Sequence, residues 1–154
     1  MDKKQIYSSL ETRIRSLSKG ENDPVSLMAT MACEIFHFLP YCDWAGFYRV
    51  VDSGTLKIGP YQGPHGCLVI PFDRGVCGKC ARTQEVQLVG NVSVVSDHIA
   101  CSSKTKSEIV VPVFDVNGKL MAVLDLDSNT LNAFDETDSE GLVKITGIFR
   151  SVPV

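Results

Sequence analysis

The side chains able to do chemistry crowd into the middle of the chain. Cysteines stand at positions 33, 42, 67, 77, 80 and 101, and four of the six fall between residues 67 and 101. Cys77-Gly78-Lys79-Cys80 has the spacing of a dithiol redox couple or of half a zinc site. A thioredoxin-type couple closes a strand and opens a long helix in a βαβ unit, whereas this pair follows a Gly-Val turn between strands of an antiparallel set. A zinc site would add Cys67 or Cys101 and a histidine, His65 or His98, which are suitable ligand types. Structural zinc sites are usually built from two tight pairs, and only one tight pair is present. A third reading takes HIACSSKTKSEIVVP, residues 98–112, together with LDLDS, residues 124–128. Here Cys101 lies in a loop bearing Ser and Lys, with Glu108 seven residues on. Asp125 and Asp127, two apart on one strand, present their carboxylates on the same face. Like charges so placed repel, and one carboxyl can keep its proton near neutral pH and act as a general acid. The competing reading of the two aspartates is a solvated strand end. Trp44 and Tyr48, on an alternating segment, read by pattern alone as core aromatics. His98 reads as a residue that braces its loop, with no catalytic part, and His37, inside a helical segment, as ordinary. Cys33 and Cys42, apart from the cluster, are expected to be small buried hydrophobes.

The elements that must hold these groups follow from periodicity. Ile6, Leu10, Ile14 and Leu17 recur at helical spacing over residues 2–19, with Gly20 where a C-terminal cap belongs. Asp23-Pro24 is an N-cap and first-turn pair for a second helix carrying Leu27, Met31, Ile35 and Phe38 and stopped by Pro40. From residue 43 the period becomes two, giving strands in DWAGFYRVV, TLKIGPYQG and GCLVIPF, the first two joined by a turn at Asp52-Ser53-Gly54. A short helix from Val76 to Gln84 and a loop over 90–106 precede two further strands, SEIVVPVF and KLMAVLDLD. Asp115-Val116-Asn117-Gly118 is the hairpin signal between them. Asp135 caps a last helix with Leu142, Ile145 and Phe149. The order predicts an α+β fold, an antiparallel sheet with helices packed on it, in one domain over residues 1–154.

Composition narrows the partners. With 44% hydrophobic and 21% charged residues and a net charge of -3, neither a nucleic-acid surface nor a membrane surface is expected. The polar N-terminal stretch lacks the apolar core of a signal peptide, and no apolar run reaches membrane-spanning length, so the expected compartment is the cytoplasm and the thiols are expected to be reduced.

DWAGFY at 43–48, GPYQG at 59–63, Cys67, GVCG at 75–78, HIAC at 98–101, SEIVVP at 107–112 and GKLMAVLDLDS at 118–128 together resemble the free methionine-(R)-sulfoxide reductases, small stand-alone GAF-domain enzymes. The resemblance covers about 85 residues of the middle. It implies a GAF-like sheet and reduction of free methionine-(R)-sulfoxide without metal or other cofactor. Cys101 would be the nucleophile that becomes a sulfenic acid, Cys67 the thiol that resolves it as a disulfide, and Cys77 an auxiliary cysteine beside the site. Glu108, Asp125 and Asp127 would hold and protonate the sulfoxide oxygen and help place the substrate, with Trp44 and Tyr48 against its methyl group. A thioredoxin-like dithiol protein would supply the electrons, and the family leaves room for a homodimer. Cys80 falls outside the motifs, so on this reading its spacing from Cys77 is coincidental. Ser102 and Asn91 stand where the family commonly has acidic residues. The rival functions are a non-catalytic GAF sensor of small molecules and a structural zinc module, the latter distinguishable by metal analysis.

Overall fold

The computed structural model describes residues 1–153. Helix α1, Lys3–Leu17, begins at a capping box in which Asp2 accepts the Gln5 amide at 2.8 Å and Gln5 accepts the Asp2 amide at 3.1 Å. Its cap at the far end is Ser18, and Gly20 lies two residues beyond with φ of +79°. Helix α2, Pro24–Phe38, starts with Asp23 as N-cap and Pro24 in the first turn, where the missing N–H has no helical partner to lose. Leu39, which precedes Pro40, is extended, and the helix stops there.

The strands are β1 (Trp44–Asp52), β2 (Thr55–Gln62), β3 (Val69–Pro71), β4 (Gln87–Val89), β5 (Ser107–Phe114) and β6 (Leu120–Ser128). Helix α3, Gly75–Thr83, joins β3 to β4, and α4, Glu136–Thr146, follows β6 and passes into a 3₁₀ turn, Gly147–Ser151, that carries Phe149. All six strands form one antiparallel sheet in the order β3-β2-β1-β6-β5-β4. Two differences from the sequence expectation concern short segments. Of GCLVIPF only Val69–Pro71 pairs, and β4 was not foreseen, because three residues are too few to display a period of two.

Alternation along β1, β5 and β6 divides the sheet into two working faces. Ala45, Phe47, Ile109, Val111, Val113, Ala122, Leu124 and Leu126 point to the side covered by α1, α2 and α4, where Leu10, Ile14, Met31, Ile35, Leu142 and Ile145 complete the main core. Each such buried aliphatic side chain contributes roughly 1.5–3 kcal/mol by leaving water. Asp138, wholly buried on α4, ties this layer together: it accepts Tyr7 Oη at 2.9 Å, Tyr41 Oη at 2.7 Å, Lys3 Nζ at 2.5 Å and the Asp135 amide at 2.7 Å. Trp44, Tyr48, Val110 and Val123 point the other way, toward Val76, Cys77, Cys80 and Ala81 of α3. Among the described residues no helix is long and apolar enough to cross a membrane.

Candidate active site

The second face of the sheet carries the acids. Glu108 of β5 sits directly across the ladder from Asp127 of β6, and Asp127 in turn faces Trp44 of β1. Asp125, two residues back, lies between Val110 and Gly46. All three carboxyls therefore project from adjacent strands on one side, and Asp125 and Asp127 share the face that their spacing predicts. Strand β1 closes against this spot because residue 46 has no side chain. A Cβ there would stand 2.4 Å from Tyr61 Cβ and 2.5 Å from Trp44 Cη2, so glycine allows the indole to lie flat over the backbone. The Trp44 ring stacks between Tyr48, at 5.8 Å, and Tyr61, at 5.3 Å, and its Nε1–H donates to the Pro64 carbonyl at 2.8 Å.

Burial decides the charge state of the acids. Glu108 and Asp125 are 5% and 4% exposed, and Asp127 is half-buried. Desolvation first, and Asp127 second, push the Glu108 carboxyl up to about 8. Desolvation and then Glu108 hold Asp125 well above the usual carboxylate range, and desolvation and then Asp125 do the same to Asp127. Among the described residues no Lys or Arg forms an ion pair with the cluster, so near pH 7 it stores protons. Two of its oxygens, Glu108 Oε2 and Asp125 Oδ1, are buried with no hydrogen-bond partner among the described residues. An unsatisfied buried polar atom costs about 1–3 kcal/mol, and two of them side by side aim at a polar ligand.

Cys77, at the start of α3, brings its thiol to these acids. Its Sγ, Glu108 and Asp125 oxygens lie within 4.8 Å of one another, and the S–H points to Glu108 Oε1 at 3.9 Å. Burial and then the Asp125 charge raise the Cys77 thiol far above its ordinary value, so it is a neutral donor. The helix reaches this depth through Gly78, where a Cβ would stand 2.5 Å from the Pro71 carbonyl oxygen. Cys80 faces the Val110 carbonyl at 3.7 Å and joins no group of three or more potential ligands among the described residues. Cys42 is buried as expected and donates to the Trp44 carbonyl, whereas Cys33 is only half-buried on α2.

A cavity of about 80 Å³ opens over the acids, enough for several waters or a small polar molecule. Trp44 and Tyr48 form one wall, Glu108, Asp125, Asp127 and Cys77 the floor, and the loop from His98 to Thr105 the roof. Cys101 lines the roof. Cys67 does not line the cavity itself but is joined to Cys101 by a disulfide with Cα atoms 5.4 Å apart, both residues half-buried. The eight residues singled out in the sequence thus gather at one place. Sequence reasoning did not single out Asp43, and it read His98 only as a loop brace or a zinc ligand. Asp43, next to Trp44, lines the cavity and fixes its rim by accepting the Asn129 amide at 2.7 Å and donating its own amide to Asp127 O at 2.8 Å. His98 also lines it, with Nε2 3.4 Å from Glu108 Oε2 but without the alignment of a hydrogen bond. Its place in HIAC was the available signal.

An acid store facing a thiol pair across an aromatic wall can protonate an oxygen while a sulfur nucleophile attacks the atom that carries it. The GAF domain profile matches residues 24–147. The Escherichia coli protein named free methionine-R-sulfoxide reductase is 35% identical over 152 residues, covering 99% of this chain and 91% of that protein. Its Saccharomyces cerevisiae namesake is 37% identical over 156 residues, covering 97% and 87%. The X-ray structure of free methionine-R-sulfoxide reductase from Neisseria meningitidis in complex with its substrate superposes with a TM-score of 0.92 at 41% identity, covering 97% of this chain and 89% of that one.

Proposed function

The chain belongs to the GAF domain family and, within it, to the free methionine-R-sulfoxide reductases, and from that membership we infer that it reduces free L-methionine-(R)-sulfoxide to L-methionine as one catalytic unit over residues 1–154. The observation that carries this reading to chemistry is the juxtaposition of three proton-holding carboxyls with the Cys67–Cys101 pair at a single small cavity.

Sulfoxide oxygen is a poor leaving group until it is protonated. With the thiols reduced, Cys101 attacks the sulfoxide sulfur as thiolate while Glu108, neutral at pH 7, gives its proton to the oxygen. The oxygen passes to Cys101 as a sulfenic acid, and methionine departs with the electron pair that cysteine supplied. Cys67 then attacks the sulfenic sulfur, expelling water and leaving the disulfide. Trp44 and Tyr48 would hold the S-methyl group on the side away from the acids, which selects one epimer. Burial and then Asp127 keep the proton on Glu108, whereas Asp125 and the Cys77 S–H that points to Oε1 favour its charged form. The half-buried disulfide suits re-reduction by a thioredoxin-like dithiol protein, and cytoplasm is the compartment in which such a donor is kept reduced.

The test is incubation with racemic free methionine sulfoxide and dithiothreitol, followed by chiral analysis of the remainder. Loss of the R epimer alone is expected. Equal loss of both epimers, or of neither, would refute the assignment.

A further inference from the structure

Glu108 must regain a proton in every turnover, and its surroundings leave few routes. Around Oε1 stand the Cys77 thiol of α3 and, across the sheet, Asp125 and Asp127 of β6, with Tyr48 of β1 close enough to feel the Glu108 charge. Each of these holds its own proton more tightly than usual because it is buried among acids. On the other side, Oε2 has no hydrogen-bond partner among the described residues, and His98 Nε2 stands 3.4 Å from it. The His98 side chain is 15% exposed, so its ring bridges the buried acid and the loop surface. Burial lowers its basicity and the neighbouring Asp97 restores part of it. The ring is therefore neutral near pH 7, and a neutral imidazole keeps one ring nitrogen as an acceptor. It lies three residues from Cys101 in the loop that roofs the cavity, with Lys104 farther along the same loop.

We propose that His98 is a proton relay acting through Glu108, taking the proton that Cys101 sheds on becoming a thiolate and returning it through Nε2 to Glu108 Oε2. The relay rests on the reductase reading above. The balance closes without solvent. Cys101 S–H gives its proton to the imidazole, and its electron pair goes to the sulfoxide sulfur. Glu108 gives its proton to the sulfoxide oxygen, which leaves on Cys101 as S–OH. The imidazolium then restores the Glu108 proton and is neutral again. Substrate filling the cavity blocks direct access of water to Glu108, and that is when a side-chain route is needed.

The experiment is single-turnover release of methionine by the fully reduced enzyme, from pH 6 to 9, with saturating free methionine-(R)-sulfoxide. Wild type is compared with His98→Ala and His98→Gln, each with and without added imidazole, and folding is checked by melting temperature. The expected result is a rate about 100-fold lower in both variants, the scale of a lost proton transfer, with the half-saturating substrate concentration within about threefold of wild type. Imidazole should recover at least about tenfold in His98→Ala, whose cavity admits it, and little in His98→Gln. If His98→Ala keeps its rate to within about threefold, or if its loss is insensitive to imidazole and matched by weaker substrate binding, the relay is overturned and His98 only braces the loop. Should His98→Ala fail to fold, His98→Gln decides: a rate near wild type overturns the relay, and a 100-fold loss at unchanged saturation supports it. A wild-type enzyme that releases no methionine overturns the relay and the reductase reading together, whereas a variant-only result bears on the relay alone.

Discussion

Replacing Glu108 with Gln should make the protein more stable in alkaline solution while stripping it of its acid. The carboxyl is raised from 4.5 to about 8, chiefly by burial and next by Asp127. Below pH 4.5 the group is protonated in folded and unfolded chains alike, and its contribution to stability is fully present. Between 4.5 and 8 only the unfolded chain gives up the proton, so stability falls by about 1.4 kcal/mol per pH unit until the folded carboxyl also ionises, a total of about 5 kcal/mol. Glutamine ionises in neither state and escapes this slope. Its amide still has to be buried beside His98 and Cys77 without assured partners, which costs about 1–3 kcal/mol. The variant is therefore expected to be more stable than wild type by roughly 2–4 kcal/mol at pH 8.5 and level with it or weaker at pH 5. Asp125 and Asp127 add slope to both proteins, so the difference between the two curves is what counts. Urea denaturation of both oxidised proteins at the two pH values measures it. A gap that changes by less than about 1.5 kcal/mol between pH 5 and 8.5 would show that Glu108 does not hold its proton to pH 8. Reduction of free methionine sulfoxide should meanwhile fall by about 10²–10⁴ in Glu108→Gln, and wild-type activity should decline as pH rises through about 8.

Cys101→Ser should abolish reduction, whereas Cys67→Ser should release one burst of methionine and then stall with a thioredoxin system. Normal cycling of Cys67→Ser on thioredoxin would contradict the resolving role. Cys80→Ala should keep steady-state activity within about tenfold, since its thiol hydrogen bonds to the Val110 carbonyl and does not line the cavity, and a larger loss, above ~1.4 kcal/mol, would make Cys77 and Cys80 a working couple. Gly46→Ala forces a Cβ against Tyr61 Cβ and the Trp44 ring, so it should cost about 1–3 kcal/mol of stability and shift Trp44 fluorescence, and an unchanged kcat/KM would show that the indole does not shape the cavity. Asp138→Ala strands Tyr7, Tyr41 and Lys3, and a loss of about 3–5 kcal/mol in urea denaturation is expected, a loss below about 1 kcal/mol counting against the node.

The fold was legible where elements are long and patterned. Asp23 caps α2 as expected, Leu10 and Ile14 of α1 and Leu27, Met31 and Ile35 of α2 are buried at helical spacing, Leu17 at the end of α1 is exposed instead of joining that stripe, and SEIVVPVF is β5 from end to end. Strand β4 and the true extent of β3 were hidden because three-residue strands are specified by their partners rather than by their own period. The face shared by Asp125 and Asp127 could be read from spacing alone. Their proximity to Glu108 could not, because it depends on β5 pairing with β6 in a register that brings residue 108 opposite residue 127. Pairing of Cys67 with Cys101 came only from family resemblance, since nothing local links residues 34 positions apart. His98 reads from sequence as a brace because HIAC places it near Cys101 without fixing which way its ring points. Its nearness to Glu108 Oε2 is a tertiary fact.

The alternation of β5 has a consequence for how the protein can fail. Neighbouring residues along this strand serve opposite purposes: Glu108 lines the cavity and Val110, on the same face, packs under α3, while Ile109 and Val111 enter the helix-covered core. A slip of one position against β6 would drive Glu108 among aliphatic side chains and expose isoleucine and valine to the polar cavity. Such a chain would lose its core in the same step that it lost its acid. A one-residue slip is thereby opposed by the pleat itself, because the register that buries the aliphatic side chains is also the one that turns Glu108 to the cavity.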